Sequence, residues 1–136
     1  VSWSRQNRSQ LVRIPMVKGD NCRMELRSPD PACNPYLAIG LVLAAGLDGI
    51  EHRMVLQPPV NKNLFRPGEA EGLGLEMLPA TLEEAVAIAE ESDFLHKVLP
   101  EELSRRYFAE ERARCEALRA AADPAEYERI HYFNAI

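Results

Sequence analysis

Apolar and polar positions alternate over residues 22–27, and residues 10–17 form a second strand-like stretch in which Arg13 is the one charged residue. Successive side chains of an extended strand point to opposite faces, so this period of two predicts strands over about 10–27. The residues between them, Lys-Gly-Asp-Asn at 18–21, are typical of a turn. We therefore expect an antiparallel hairpin, which brings Arg13 of the first strand towards the second strand.

The rest of the chain carries helical patterns separated by breaks rich in proline and glycine. Capping residues and prolines at helix starts predict helices over about 35–53, 81–91, 100–122 and 124–131. The first of these is apolar on every side, so we expect it to be buried. Residues 54–80 form a long irregular connection, which in a compact domain is usually functional or packs on a partner. The apolar end of the chain, residues 132–136, is expected to dock on the rest.

These elements together predict an α+β fold, with a small antiparallel sheet portion packed with several helices. The length of 136 residues fits one domain with a core of its own. The net charge of -5 argues against non-specific nucleic-acid binding, and the longest apolar run is too short to span a bilayer. The three cysteines have neither disulfide nor zinc-site spacing. We expect a piece of a larger cytoplasmic protein, without a nucleic-acid or membrane partner.

Charge is unevenly distributed, and this changes the picture. Residues 1–27 contain five arginines and one lysine against two acidic residues. In the second strand, Arg23, Glu25 and Arg27 share one face. Guanidinium groups bind phosphate or carboxylate through paired hydrogen bonds, and carboxylate oxygens suit a hard cation. The pattern therefore indicates a site for a small anion and a divalent cation, with a merely solvated strand face as the alternative.

Several motifs resemble the C-terminal part of glutamine synthetase. They are Asn7-Arg8-Ser9, Arg13-Ile14-Pro15, Glu25-Leu26-Arg27-Ser28-Pro29-Asp30, Asn34-Pro35-Tyr36-Leu37 and the run from Ala44 to Ile50, in one order along the chain. Enzymes of this family ligate ammonia to the side-chain carboxylate of glutamate, through a γ-glutamyl phosphate made from ATP. The resemblance implies that residues 1–136 are the C-terminal portion of a catalytic domain of the glutamine synthetase/guanidino kinase type. It further implies glutamate, ATP and ammonium as substrates, Mg²⁺ or Mn²⁺ as cofactor, and a homo-oligomer.

The resemblance also implies a role for each matching residue. Arg8 and Arg27 are the expected catalytic residues and would bind glutamate, with Arg8 also contacting the transferred phosphate. Arg13 and Arg23 are expected to bind the nucleotide, and Glu25 the metal ion. The family takes most of its metal ligands from the sequence before the matching region. We therefore expect a missing N-terminal portion of the same protein to be required, and this chain alone to be inactive.

Two alternatives stay open at this point. One is a ligase that joins glutamate to another amine, which would differ mostly in the missing portion. The other is a non-catalytic fragment that serves assembly or regulation, in which changes to Arg8 or Glu25 would leave its activity untouched.

Overall fold

A computed structural model describes residues 1–133, in two compact units. The first unit combines Val1–Cys33 with Asp48–Leu78, and the second combines Asn34–Leu47 with the chain from Pro79 onward. The first carries the short strands, and the second carries most of the helical residues. Over the described residues the fold is α+β, with a three-stranded sheet and five α-helices.

The sheet of the first unit has the order β1 (Trp3–Ser4), β2 (Val12–Arg13), β3 (Glu25–Leu26). β2 and β3 are antiparallel, whereas β1 and β2 are parallel. The prediction of an antiparallel sheet is therefore wrong for β1, and the sheet is mixed. β1 pairs over only two residues, which is too short for a period of two to appear in the sequence.

The strands are also much shorter than the span of 10–27. Pro15 follows β2 closely, and its nitrogen has no hydrogen to donate to a ladder. Gly19 then begins a 3₁₀ turn, Gly19–Asn21, with a φ of 68°, a left-handed conformation that glycine adopts without strain. Regular pairing is therefore confined to the residues on either side of this turn.

The helices begin where local capping signals stand. They are α1 (Pro35–Glu51), α2 (Leu82–Glu90), α3 (Asp93–Val98), α4 (Glu101–Ala120) and α5 (Pro124–Glu128), followed by a π-helical turn at Arg129–Phe133. The Thr81 hydroxyl accepts the Glu84 N–H as in a capping box, and the Glu84 carboxylate accepts the N–H of Ala80, one residue before the N-cap.

The core of the second unit forms where α4 packs against α2, α3 and α5. Val86 of α2 and Phe108 of α4 are its most buried apolar side chains, each 6% exposed. Glu90–Arg112 and Glu83–Arg119 ion pairs also join α2 to α4. None of the described helices combines the length and apolarity needed to cross a membrane.

The prediction that α1 is buried is wrong for the described residues. None of its residues is buried, and Leu43, Leu47 and Ile50 are 63%, 65% and 76% exposed. A helix that is apolar on every side is expected to be covered, but the pattern does not identify the residues that cover it. Phe133 in the apolar end of the chain is also exposed, and residues 134–136 of that end lie outside the described residues.

Candidate functional site

The register between β2 and β3 places Arg13 directly opposite Glu25. Arg13 Nη1 donates to both carboxylate oxygens of Glu25, at 2.9 Å each. Arg23 approaches the same carboxylate from its own strand segment, with Nη2 3.0 Å from Oε1 and Nε donating to Oε1 at 3.2 Å. One carboxylate therefore holds two guanidinium groups, which we call the Glu25 cluster (Arg13, Arg23 and Glu25).

The electrostatics of the cluster favour the ionised carboxylate. The hydrogen bond from Arg13 lowers the pKa of Glu25 most, and the charges of Arg13 and Arg23 add to this effect. Partial desolvation acts in the opposite direction, because burial disfavours the charged form. The side chains of Arg13 and Glu25 are 19% and 26% exposed, so the pair lies within reach of solvent and of a ligand.

Arg27 continues the register of the cluster. Its N–H donates to the Leu11 carbonyl at 2.9 Å, which extends the β2–β3 pairing by one position. Since Arg27 stands two residues after Glu25 in this extended segment, both belong to the same face. The Arg27 side chain is exposed, and among the described residues it forms no ion pair.

Arg8 stands on a tight turn between β1 and β2. Asn7 Oδ1 accepts the Ser9 N–H and the Ser9 hydroxyl, both at 2.9 Å, so the neighbours of Arg8 bind each other. The buried Ser4 hydroxyl accepts the N–H groups of Gln6 and Asn7. Arg8 is left exposed, with no ion pair to any described residue, on a turn whose backbone is held on both sides.

The structure thus brings three of the five predicted site residues into direct contact. Arg13, Arg23 and Glu25 form the cluster, whereas Arg8 and Arg27 lie in the same unit without an ion pair to it. Two of the predicted arginines therefore already have a carboxylate partner, and the other two are available to a ligand.

Sequence reasoning missed the residues that support the Arg8 turn. Residues 57–64 of the long connection, which we call the backing segment, run beside β1 and this turn. Trp3 Nε1 donates to the Gln57 carbonyl at 2.6 Å, the Val60 N–H donates to the Trp3 carbonyl at 2.9 Å, and the Ser4 hydroxyl donates to Asn61 Oδ1 at 3.0 Å. The available signal was Gln10, a polar residue at the start of an apolar strand pattern, where burial requires a partner.

Glu25 is the residue that the sequence predicts as a ligand for a divalent cation. The ionised Glu25 carboxylate is a hard oxygen donor of the kind that Mg²⁺ prefers. Both of its oxygens already accept hydrogen bonds from arginine, and no group of three or more potential metal-binding side chains occurs within the described residues. Glu25 therefore fits the role of one metal ligand, and the described residues hold no cluster that would complete the site.

Comparison with known proteins gives a consistent result. The sequence matches the family described as "Glutamine synthetase, catalytic domain" over residues 1–130. It is 42% identical over 131 residues to the glutamine synthetase of Methanosarcina mazei, covering 95% of this chain and 29% of that protein. It is 41% identical over 123 residues to that of Methanocaldococcus jannaschii, covering 89% and 27%. For that of Staphylococcus aureus the identity is 35% over 134 residues, covering 97% and 30%. The chain therefore spans less than a third of the length of these relatives.

Proposed function

The chain belongs to the glutamine synthetase catalytic-domain family, and on this premise we propose that its complete protein ligates ammonia to the side-chain carboxylate of glutamate. ATP would phosphorylate that carboxylate, and ammonia would displace phosphate from the γ-glutamyl phosphate. This chain would supply part of the site, within a catalytic domain of the glutamine synthetase/guanidino kinase type.

The observation that carries the proposal is the Glu25 cluster. Phosphoryl transfer is catalysed mainly by positioning and by neutralising charge on the phosphates. A carboxylate that fixes two guanidinium groups beside a strand provides both. In this assignment Arg13 and Arg23 bind the nucleotide phosphates. Glu25 orients the two arginines and contributes one oxygen ligand to the cation.

Mg²⁺ or Mn²⁺, when bound, would neutralise charge on the nucleotide phosphates. Glu25 would be its ligand from this chain, because a carboxylate is a hard oxygen donor, and its contacts with Arg13 and Arg23 lower its pKa and so favour the ionised form. The remaining ligands would come from an N-terminal portion of the same protein, as the short coverage of the relatives suggests. We accordingly propose that this chain alone is inactive.

In this proposal Arg8 and Arg27 bind the negatively charged groups of glutamate. Both are exposed arginines without ion-pair partners among the described residues, so their guanidinium groups can donate hydrogen bonds to an external carboxylate or phosphate. In the proposal both bind glutamate, and Arg8 also contacts the phosphoryl group during transfer. We further propose a cytoplasmic homo-oligomer as the working form.

The test is phosphate release from Mg-ATP by the complete protein, with glutamate and ammonium each present or withheld. The proposal expects release only when both are present, and none from this chain alone. If phosphate release depends on glutamate but requires a primary amine and not ammonium, that amine is the substrate in place of ammonia. Release without glutamate, or none under any condition, would refute the proposed ligation.

A further inference from the structure

The backing segment is attached to the Arg8 turn through the Lys62 carbonyl and the Leu64 N–H. The Lys62 carbonyl accepts hydrogen bonds from Asn7 Nδ2 and from Gln10 Nε2, the latter at 2.9 Å. Two residues later, the Leu64 N–H donates to the Ser9 hydroxyl at 2.9 Å. The residues on both sides of Arg8 are therefore bonded to a segment more than fifty positions further along the chain.

Gln10 is the most deeply buried of the residues that make these contacts. It is only 2% exposed, and both polar atoms of its amide are hydrogen-bonded. Nε2 donates to the Lys62 carbonyl and, at 3.3 Å, to the Ser9 hydroxyl, while Oε1 accepts the Ser2 hydroxyl. A buried amide is costly unless it is hydrogen-bonded, so this arrangement fixes one geometry. Gln10 thereby joins the first strand, the turn and the backing segment.

We propose that Gln10 is a positioning residue that fixes Arg8 for glutamate and the transferred phosphate, an inference that rests on the proposed function. Arg8 itself touches no described residue through an ion pair, so its direction depends on the backbone that carries it. Gln10 holds that backbone through Ser9 and Lys62. Catalytic groups must be held close to their productive geometry by supporting hydrogen bonds, and small displacements reduce the rate strongly.

Two substitutions in the complete protein remove the N–H donors of the Gln10 side chain in different ways. Gln10→Met keeps the approximate length and removes all hydrogen bonds, whereas Gln10→Glu keeps the shape and the acceptor but removes both N–H donors. Gln6→Glu is the matched control. It makes the same chemical change on the same turn, but at an exposed side chain, and the Gln6 backbone N–H still donates to Ser4.

We expect Gln10→Met and Gln10→Glu to lower kcat/KM for glutamate about tenfold, because a displaced catalytic group loses rate even when its own side chain is intact. The KM for Mg-ATP should change less than about twofold, because Arg13 and Glu25 hold each other independently of Gln10. Gln6→Glu should stay within about twofold of the wild type for both substrates.

The decisive comparison uses Arg8→Ala as the background. If Gln10 acts through Arg8, Gln10→Met should cost no further kcat/KM once Arg8 is absent. A merely structural role would give the same tenfold loss in both backgrounds, or would raise the KM for Mg-ATP equally, and either result would overturn the proposal. Hydrogen exchange of the Leu64 amide should accelerate in Gln10→Met while the Arg27 amide, bonded to the Leu11 carbonyl, keeps its protection, which shows that the first unit of the variant is folded.

The wild type separates this inference from the function on which it rests. Absence of glutamate-dependent turnover in the wild type refutes the proposed function, and the role of Gln10 with it. Wild-type turnover that both Gln10 variants leave intact refutes the role of Gln10 alone. Should Gln10→Met lose protection throughout the chain, Gln10→Glu, with its retained acceptor for Ser2, carries the same comparison.

Discussion

Replacement of Glu25 by glutamine is the sharpest test of the candidate site, because it preserves shape and removes one charge. Arg13 Nη1 lies 2.9 Å from both carboxylate oxygens, and Arg23 Nη2 lies 3.0 Å from Oε1. A glutamine amide has one acceptor oxygen and one donor nitrogen, so one guanidinium would meet a donor where it now meets an acceptor. Both arginines should then lose the position that the carboxylate fixes.

The expected loss of Mg-ATP affinity follows from the interactions that Glu25→Gln changes at the same time. Glu25→Gln removes the negative charge that the Arg13 and Arg23 contacts share, and with it the carboxylate that we propose as a ligand of the cation. Losing a supporting partner at a metal site typically weakens binding about 10- to 100-fold, and we expect a loss of that order for Mg-ATP. Calorimetric titration of the complete protein with Mg-ATP measures it directly. Glu71→Gln is the control, since Glu71 is exposed and forms no ion pair with a described residue.

The same variant makes a prediction about pH. The pKa of folded Glu25 lies below its ordinary value of 4.5, so its contribution to stability is fully present above that pH and is lost as pH falls through the folded pKa. The difference in unfolding free energy between the wild type and Glu25→Gln should therefore be constant near neutrality and shrink in acid below about 4.5. Unchanged Mg-ATP affinity, or a difference that grows in acid, would contradict the assignment of Glu25.

Three further predictions concern other parts of the chain. Arg27→Lys should lower kcat/KM for glutamate about tenfold, because lysine keeps the charge but loses the paired hydrogen bonds of the guanidinium; wild-type kinetics would remove Arg27 from the site. Phe108→Ala should lower the unfolding free energy by about 3–5 kcal/mol in urea denaturation, since Phe108 is buried in α4. Leu103→Ala, on the same helix but 41% exposed, should cost far less. Burial raises the pKa of Cys115, with Glu83 and Glu111 adding to the effect, so iodoacetamide should modify Cys115 more slowly than the exposed Cys22 at neutral pH; equal rates would contradict this.

Local chemistry was predictable from the sequence. The capping box at Thr81 and Glu84 needs only residues three positions apart, and α2 begins there. The resemblance to glutamine synthetase is confirmed by the family match and by the relatives. The alternation through Arg23 and Glu25 suggested shared chemistry on one face, and the two side chains do meet. Whether these residues bind nucleotide and metal stays a prediction.

Long-range pairing was not predictable in the same way. The parallel partner of β2 is a strand of two residues that shows no period, so the mixed sheet could not be read from alternation. Gln10 meets a backbone carbonyl that is 52 positions away, and a backbone carbonyl carries no information in the sequence about which side chain will reach it. The burial predicted for α1 was wrong for a related reason, since an apolar pattern indicates that a helix avoids water but not which residues cover it.

The attachment of Trp3 has a practical consequence for following this protein in solution. Trp3 is the only tryptophan of the chain, and the backing segment holds both its indole N–H and its backbone carbonyl. Indole emission depends on the polarity and hydrogen bonding around the ring, so this chain carries a built-in optical probe at the junction of β1 and residues 57–60. Release of that junction, by denaturant or by substitution, should be visible in intrinsic fluorescence without any added label.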